Sequence, residues 1–446
     1  MFAATIAYFP IGRKTFDMEA AERLFRESEE LLRGMADRVL SPGAVLTSVE
    51  ELTAWMDGIR GEKPDLVVYQ SLTFADAEFI AAIAGHFPAE VLVWSVREPS
   101  VGGRLRLNSL TGGNSTCNAL RMMGRKYDFI LGNPDEPRVG RRLRVKLRAA
   151  ETVRKLRGLT VGVVGDHPPG FFFSGADELE LRNRFGIRLH RLDLYRLFRE
   201  SRDVPEERYL PLIAAAASGV TGLDAGAETT VRYAQFAAAL KDHVARLGIR
   251  ATAIRCWPDF FTELGAAACS TLSLFTEEGV VSSCEADILG AVTMYIQREL
   301  SGGSPPYLGD LVHVDEAENS VTFWHCGAGA WSLANPATGA RAGVHPNRKL
   351  GFTLEFGLKP GPVTIARLGK TNAGYRMLIM KGEVLDRPQA FFGTSGEVRL
   401  SGNVSEIVHA LMKEGFEPHY SLVYADIAEE LMELCGQLGI EAVNYT

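Results

Sequence analysis

The chain has 446 residues, a formal net charge of -7 and a hydrophobic content of 46%. That length exceeds what one compact core supports, so two or three domains are expected. Ordinary charge content with an acidic balance argues against disorder and against a nucleic-acid binder, which needs a basic face. No stretch reaches the roughly 18 apolar residues of a membrane span, so no membrane partner is expected.

In chain order, the first third alternates strands and helices. The apolar run at residues 5–9 has no basic region before it and reads as a strand, not an export signal, which implies a cytoplasmic protein. Residues 18–35 carry apolar side chains at helical spacing, with Asp17 placed as the N-cap. Strands are expected at 66–69, 91–94 and 128–131, with helices at 74–84 and 118–123. The arginine-rich stretch from Arg138 to Arg157 reads as a solvated helix or linker. A second α/β series begins with a strand at 159–165. It continues through a helix at 176–185, a strand at 187–192, helices near 209–217 and 229–247, a strand at 251–256 and a helix at 287–300.

After Ser301-Gly302-Gly303-Ser304-Pro305-Pro306 the pattern changes to strands separated by turns: 311–314, 320–324, 352–356, 362–368 and 376–384. A last α/β element covers 405–413, 419–424 and 427–438. The expected fold is α/β, with two doubly wound Rossmann-like domains (1–150 and 151–300). A C-terminal antiparallel β-barrel-like domain with a closing α/β element follows at 301–446.

Six cysteines are too sparse for a disulfide framework and none form a CxxC pair, which argues against structural zinc. Cys256, Cys269, Cys284 and Cys326 stand in apolar company and read as reduced core thiols. The chemistry concentrates instead in Cys284-Glu285-Ala286-Asp287, Leu308-Gly309-Asp310, Trp324-His325-Cys326-Gly327 and Pro418-His419-Tyr420. Acids and histidines are rarely buried for packing alone, and a divalent cation would offset the cost. Carboxylates with imidazole suit Mn²⁺ or another hard or borderline ion. Glu285 falls at a strand-to-helix junction, where a helix first-turn acid is the competing reading. Asp287 is the better capping residue, and Asp310 also fits a turn aspartate. His325 closes a strand and His419 enters one; either would also serve as a satisfied core histidine.

These four motifs, with Gly12-Arg13-Lys14-Thr15-Phe16-Asp17, Arg106-Leu107-Asn108-Ser109 and Arg255-Cys256-Trp257-Pro258, resemble the L-fucose isomerase and L-arabinose isomerase family, in its fucose-isomerase-like branch. The resemblance runs over essentially the whole chain. It implies an Mn²⁺-dependent aldose–ketose isomerase working on a free sugar through an enediol. Glu285, Asp310 and His419 would be the metal ligands, and the two carboxylates the catalytic pair. His325 would be a further ligand or a sugar contact. Arg13 and Phe16 resemble positions used at subunit contacts, which implies a homotrimer or homohexamer with active sites at its interfaces.

Asn108, Ser109 and Asn114 are candidates for sugar hydroxyls, and Trp257, Trp324 and Trp331 for apolar sugar faces. Arg13, Arg97, Arg104 and Arg106 make an anionic sugar such as sulfoquinovose conceivable, although a neutral deoxyhexose or pentose ranks first. Two other classes compete. A non-catalytic sugar-binding protein would not need the acids and histidine to converge. A nucleotide-using dehydrogenase would need a GxGxxG fingerprint, which Val161-Gly162-Val163-Val164-Gly165 does not supply.

Overall fold

The computed structural model describes residues 1–446. The chain divides into two compact units, Met1–Arg154 and Lys155–Thr446.

Unit one comprises β1 (Phe2–Ile11), α1 (Met18–Arg33), β2 (Ala36–Leu40), α2 (Val49–Gly58), β3 (Leu66–Ser71), α3 (Glu78–His86), β4 (Val91–Ser95), α4 (Ser109–Met122), β5 (Tyr127–Leu131) and most of α5 (Pro137–Arg157). Its sheet is parallel, in the order β2-β1-β3-β4-β5. Strand side chains alternate between faces, so two cores form. Ile6, Tyr8, Val68, Leu92 and Trp94 join one, while Ala7, Phe9, Val67, Tyr69 and Val93 join the other. Helices cover both faces, as a doubly wound sheet requires. Asp17 caps α1 by accepting the Ala20 N–H at 3.0 Å. The arginine-rich stretch is helical, but it is not simply solvated. Val139, Leu143 and Leu147 are buried in the core of unit one.

Unit two opens with β6 (Thr160–Val164), α6 (Glu178–Phe185), β7 (Arg188–Leu192), α7 (Leu194–Arg202), α8 (Glu206–Gly219), β8 (Val220–Thr221), α9 (Glu228–Leu247), β9 (Ala251–Ile254), α10 (Cys269–Glu277), β10 (Val281–Ser283) and α11 (Ile288–Leu300). A parallel sheet runs β10-β9-β6-β7. The β-rich part holds β11 (Tyr307–Asp315), β12 (Ser320–His325), β13 (Ala340–Gly343), β14 (Thr353–Gly357), β15 (Gly361–Thr371), β16 (Gly374–Val384), β17 (Thr394–Leu400), α12 (Val404–Glu414), β18 (His419–Val423), α13 (Ala428–Leu438) and β19 (Glu441–Tyr445). Six of these strands close an antiparallel barrel, β15-β18-β11-β12-β17-β16, whose last member pairs back with β15. Closure leaves no edge among the six.

Helix α11 joins the two layers of unit two. It packs on β9 and β10 of the parallel sheet and on β15 and β18 of the barrel. Nearly every residue of it is buried, the pattern of a helix enclosed on all sides. The Gln297 side-chain amide donates to the Thr364 carbonyl at 3.1 Å and the Ser421 carbonyl at 3.0 Å, tying the helix to two barrel strands. No helix of the chain is long and apolar enough to cross a membrane.

Two local expectations change. The helix expected at 118–123 begins much earlier, at Ser109, so residues 111–114 lie within α4. A side chain at Gly112 or Gly113 would collide with Ser71 of β3 or Ser95 of β4, so the pair permits close helix-on-sheet packing. Asp310 does not sit in a turn before a strand; it lies inside β11.

Candidate active site

The strand-to-helix junction after β10 carries the first acid. Glu285 and Ala286 take left-handed backbone conformations, with φ of 57° and 53°. Non-glycine residues hold this conformation at a cost on the order of 1 kcal/mol each, and two in succession at one site mark a backbone over-determined by its surroundings. Ala286 is anchored by its N–H to the Ile254 carbonyl at 3.0 Å. The turn presents Glu285 toward the barrel, where His419 stands. Asp287 then starts α11 as its N-cap, accepting the Gly290 N–H at 2.8 Å.

Barrel register brings up the remaining groups. Asp310 of β11 is directly opposite His419 of β18 on one side and Trp324 of β12 on the other. Residues opposed across an antiparallel pair share a face, so acid, imidazole and indole form one row. His419 lies between carboxylates. Its Nδ1–H donates to Asp287 Oδ2 at 2.8 Å and its Nε2 lies 2.9 Å from Glu285 Oε2 and 3.6 Å from Asp310 Oδ1. Carboxylates only accept, so both ring nitrogens of the metal-free protein carry hydrogen. Burial works against that charge, but the bonds to Asp287 and Glu285 prevail and lift the histidine to about 10.

The carboxylates differ. Burial pushes Asp287 up, yet Arg367 and His419 outweigh it and hold it at about 2. Arg367, itself fully buried, forks onto Asp287 with bonds of 2.5 and 3.1 Å. Glu285 is also held below its ordinary range. Burial opposes this, while the His419 bond and the Trp257 Nε1–H, donated to Oε1 at 2.9 Å, favour the anion. Asp310 is pushed upward by burial, only partly countered by His419 and His325.

His325 closes β12. Its Nδ1 accepts the Cys326 N–H at 2.9 Å, so Nε2 carries the ring hydrogen. That Nε2 is buried and meets no protein partner. His325 offers a ring nitrogen that groups with ligand atoms of Glu285 and His419, all three within 4.8 Å of one another. Aromatic rings wall the site. Phe173 meets His419 edge-on at 5.1 Å, Phe171 meets Trp257 at 5.4 Å, and Trp324 stacks on His325 at 6.3 Å.

Of the residues singled out from sequence, unit two brings together Glu285, Asp310, His419, His325, Trp257 and Trp324. Arg13, Phe16 and Asn108 belong to unit one, on loops at the carboxyl ends of β1 and β4. There Arg13 pairs with Asp76 and covers Phe74 at 5.7 Å, and Phe16 packs against Phe74 at 6.3 Å. Asn108 accepts the Thr111 hydroxyl at 2.7 Å. Two other sequence candidates are structural. Ser109 is buried, accepting the Val96 N–H at 2.8 Å, and Trp331 packs on Gly219. Arg97 and Arg106 are tied to Glu136 and Asp17. Asp287 does more than cap, and Arg367 was not anticipated. Its signal was a lone charge in the apolar strand Thr364-Ile365-Ala366-Arg367-Leu368. The four apolar-context thiols are buried and free, with Cys256–Cys284 at 3.0 Å and Cys269–Cys326 at 3.6 Å.

Comparison with known proteins finds relatives over nearly the whole chain. Residues 348–446 match the family model described as L-fucose isomerase, C-terminal domain. A protein of Priestia aryabhattai named sulfoquinovose isomerase is 54% identical over 441 residues, covering 99% of both chains. One of the same name from Alkalicoccus urumqiensis is 53% identical over 430 residues, 96% of this chain and 97% of that one. The chain belongs to the L-fucose isomerase-like family. A third relative of that name, from Clostridium sp. (strain MSTE9), is 40% identical over 445 residues and 99% of both chains. The protein is an aldose–ketose isomerase, an intramolecular oxidoreductase. Its residues include groups able to hold a metal ion.

Proposed function

We propose that this isomerase converts sulfoquinovose, a hexose bearing a sulfonate at C6, to the corresponding 2-ketose. The observation that carries the substrate is the full-length relationship to proteins of that name at 53–54% identity. It reverses the ranking expected from sequence, in which a neutral deoxyhexose or pentose stood first.

The convergence of Glu285, Asp310 and His419 supports metal dependence. Two carboxylates crowd one imidazole nitrogen, a donor set suited to Mn²⁺, and Asp310 receives no short hydrogen bond of its own. These three residues would hold the ion. When bound, it would supply Lewis-acid polarisation of neighbouring sugar oxygens. The protein's own groups do the rest. Glu285, fixed by Trp257 and His419, stays ionised and keeps its position. Glu285 and Asp310 flank the reacting carbons, and one of the two carboxylates takes the proton from one carbon and returns it to the other through the enediol. Asp287 and Arg367 orient His419 from behind, as outer carboxylates do for metal-bound histidines. His325 Nε2–H is free to donate to a sugar oxygen, as a substrate contact. Trp324 and Trp257 offer faces to the sugar carbons.

In this reading the chain has three domains (1–150, 151–300 and 301–446), works in the cytoplasm, and assembles as a homotrimer or homohexamer. Arg13 and Phe16 then act at subunit contacts near the substrate, and Asn108 contacts a sugar hydroxyl.

The test is ketose formation from sulfoquinovose with and without Mn²⁺. Wild-type protein should need the ion. Glu285→Gln and Asp310→Asn should each lose about 10³-fold or more of turnover with the fold intact. Full activity after exhaustive chelation, or near-wild-type rates in either variant, defeats the assignment.

A further inference from the structure

An anionic substrate needs a cation that is not already neutralised. Most arginines considered for that task are committed. Arg13, Arg97 and Arg106 face Asp76, Glu136 and Asp17, and Arg367 faces Asp287. Arg255 is likewise tied to Asp259 at 2.7 Å. Arg104 has no carboxylate, but it belongs to unit one, where it donates to the Thr15 carbonyl at 2.7 Å, whereas Arg348 belongs to unit two. Arg348 pairs with no carboxylate either, and its guanidinium lies over two aromatic faces, 5.5 Å from the Trp257 ring and 5.9 Å from that of Phe261.

That Trp257 is the residue whose Nε1–H holds Glu285. One indole therefore carries the catalytic carboxylate on its edge and the arginine on its face. The guanidinium carbon falls within about 11 Å of Glu285 Oε1, a span that an extended hexose with a terminal sulfonate bridges at ordinary bond lengths. The loop that carries Arg348 is fixed in place. His345, buried, accepts the N–H groups of Asn347 and Arg348 on Nδ1, both at 3.3 Å. Its own N–H bonds the Leu350 carbonyl at 2.9 Å, the Lys349 N–H returns to its carbonyl at 2.9 Å, and its ring meets Phe261 edge-on at 5.1 Å. An arginine held over aromatic rings spends no N–H group on that contact, so its donors remain available to an oxyanion.

We infer that Arg348 is the sulfonate-binding residue, with Trp257 as the platform that sets its distance from Glu285 and His345 as the anchor of its loop. The inference rests on the sulfoquinovose reading and names the subsite that reading requires.

The experiment compares wild type, Arg348→Met and Arg348→Lys. It measures kcat/KM on sulfoquinovose and on 6-deoxyglucose, and calorimetric binding of the reduced sulfonated alditol, which cannot turn over. Arg348→Met should lose about 30-fold or more in alditol affinity and in kcat/KM for sulfoquinovose. Any turnover of 6-deoxyglucose should stay within about threefold of wild type. Arg348→Lys should fall between, since it keeps the charge without the fork. If wild type isomerises sulfoquinovose and Arg348→Met does so within threefold and binds the alditol equally, the subsite is overturned and the substrate stands. If wild type neither binds the alditol nor converts sulfoquinovose, the substrate reading fails and the subsite with it.

Discussion

His419 touches more of the site than any other residue described here, with Asp287 on one ring nitrogen and Glu285 and Asp310 about the other. Two linked consequences follow for the metal-free protein. Asp287 is held at about 2, below its ordinary 3.8, so its stabilisation is present above that ordinary value and disappears as pH falls through about 2. His419 is raised to about 10 from 6.5, so its contribution is complete below 6.5 and is lost as pH rises through 10. Asp287→Asn keeps an acceptor for the α11 cap but removes the close partner of buried Arg367, leaving it only Glu417 at 3.8 Å. It should cost about 3–5 kcal/mol at neutral pH and flatten the stability profile between pH 4 and 2, as read by urea denaturation across pH. An unchanged acid limb would remove Asp287 from this role. His419→Ala should weaken divalent-ion affinity by about 10- to 100-fold in calorimetric titration, and wild-type affinity would show that the ion is held elsewhere.

At the element scale, the site depends on three devices that each place a side chain. The left-handed pair Glu285–Ala286 turns the chain from β10 into α11. The register of β18, β11 and β12 aligns His419, Asp310 and Trp324. The buried α11 carries Asp287 at its start and is tied to the barrel strands at Gln297. In unit one the corresponding device is the close seat of α4 on β3 and β4, which the absence of side chains at Gly112 and Gly113 allows. Gly113→Ala should destabilise the protein by about 1–3 kcal/mol through overpacking against Ser95, despite better helix propensity. A gain in thermal stability would mean that the sheet yields to the added methyl.

For the molecule as a whole, a metal held by β10–α11, β11 and β18 would link the parallel layer of unit two to its barrel. Its removal should therefore lower the thermal midpoint of the intact protein. At 100 times Kd an ion that binds only the native state contributes about 2.7 kcal/mol, and the midpoint should climb with added Mn²⁺. A midpoint indifferent to chelator and to Mn²⁺ would contradict a site in the folded protein. Light scattering on the full chain should return three or six copies of 48.7 kDa, and a monomer would remove the proposed subunit-contact roles of Arg13 and Phe16.

Periodicity and turn residues were enough to read the alternation of strands and helices, the change to β-structure after residue 301, and the placement of Glu285 and His419 at strand ends. These are local properties, set by side-chain spacing and by where glycine and proline interrupt it. The acids and histidines were visible because such residues are conspicuous in apolar surroundings. Only the folded chain decided their partnerships. Asp310 passed for a turn aspartate because its neighbours are Gly309 and Leu311, and its meaning comes from a strand more than a hundred residues away. Arg367 is one charge in an apolar strand until the closed barrel brings Asp287 against it. Arg348, on an exposed loop, gains significance from the Trp257 and Phe261 rings beneath it. Contacts between segments distant in sequence leave no local periodicity, so sequence determined which chemical groups this protein possesses, and the tertiary structure determined which of them meet.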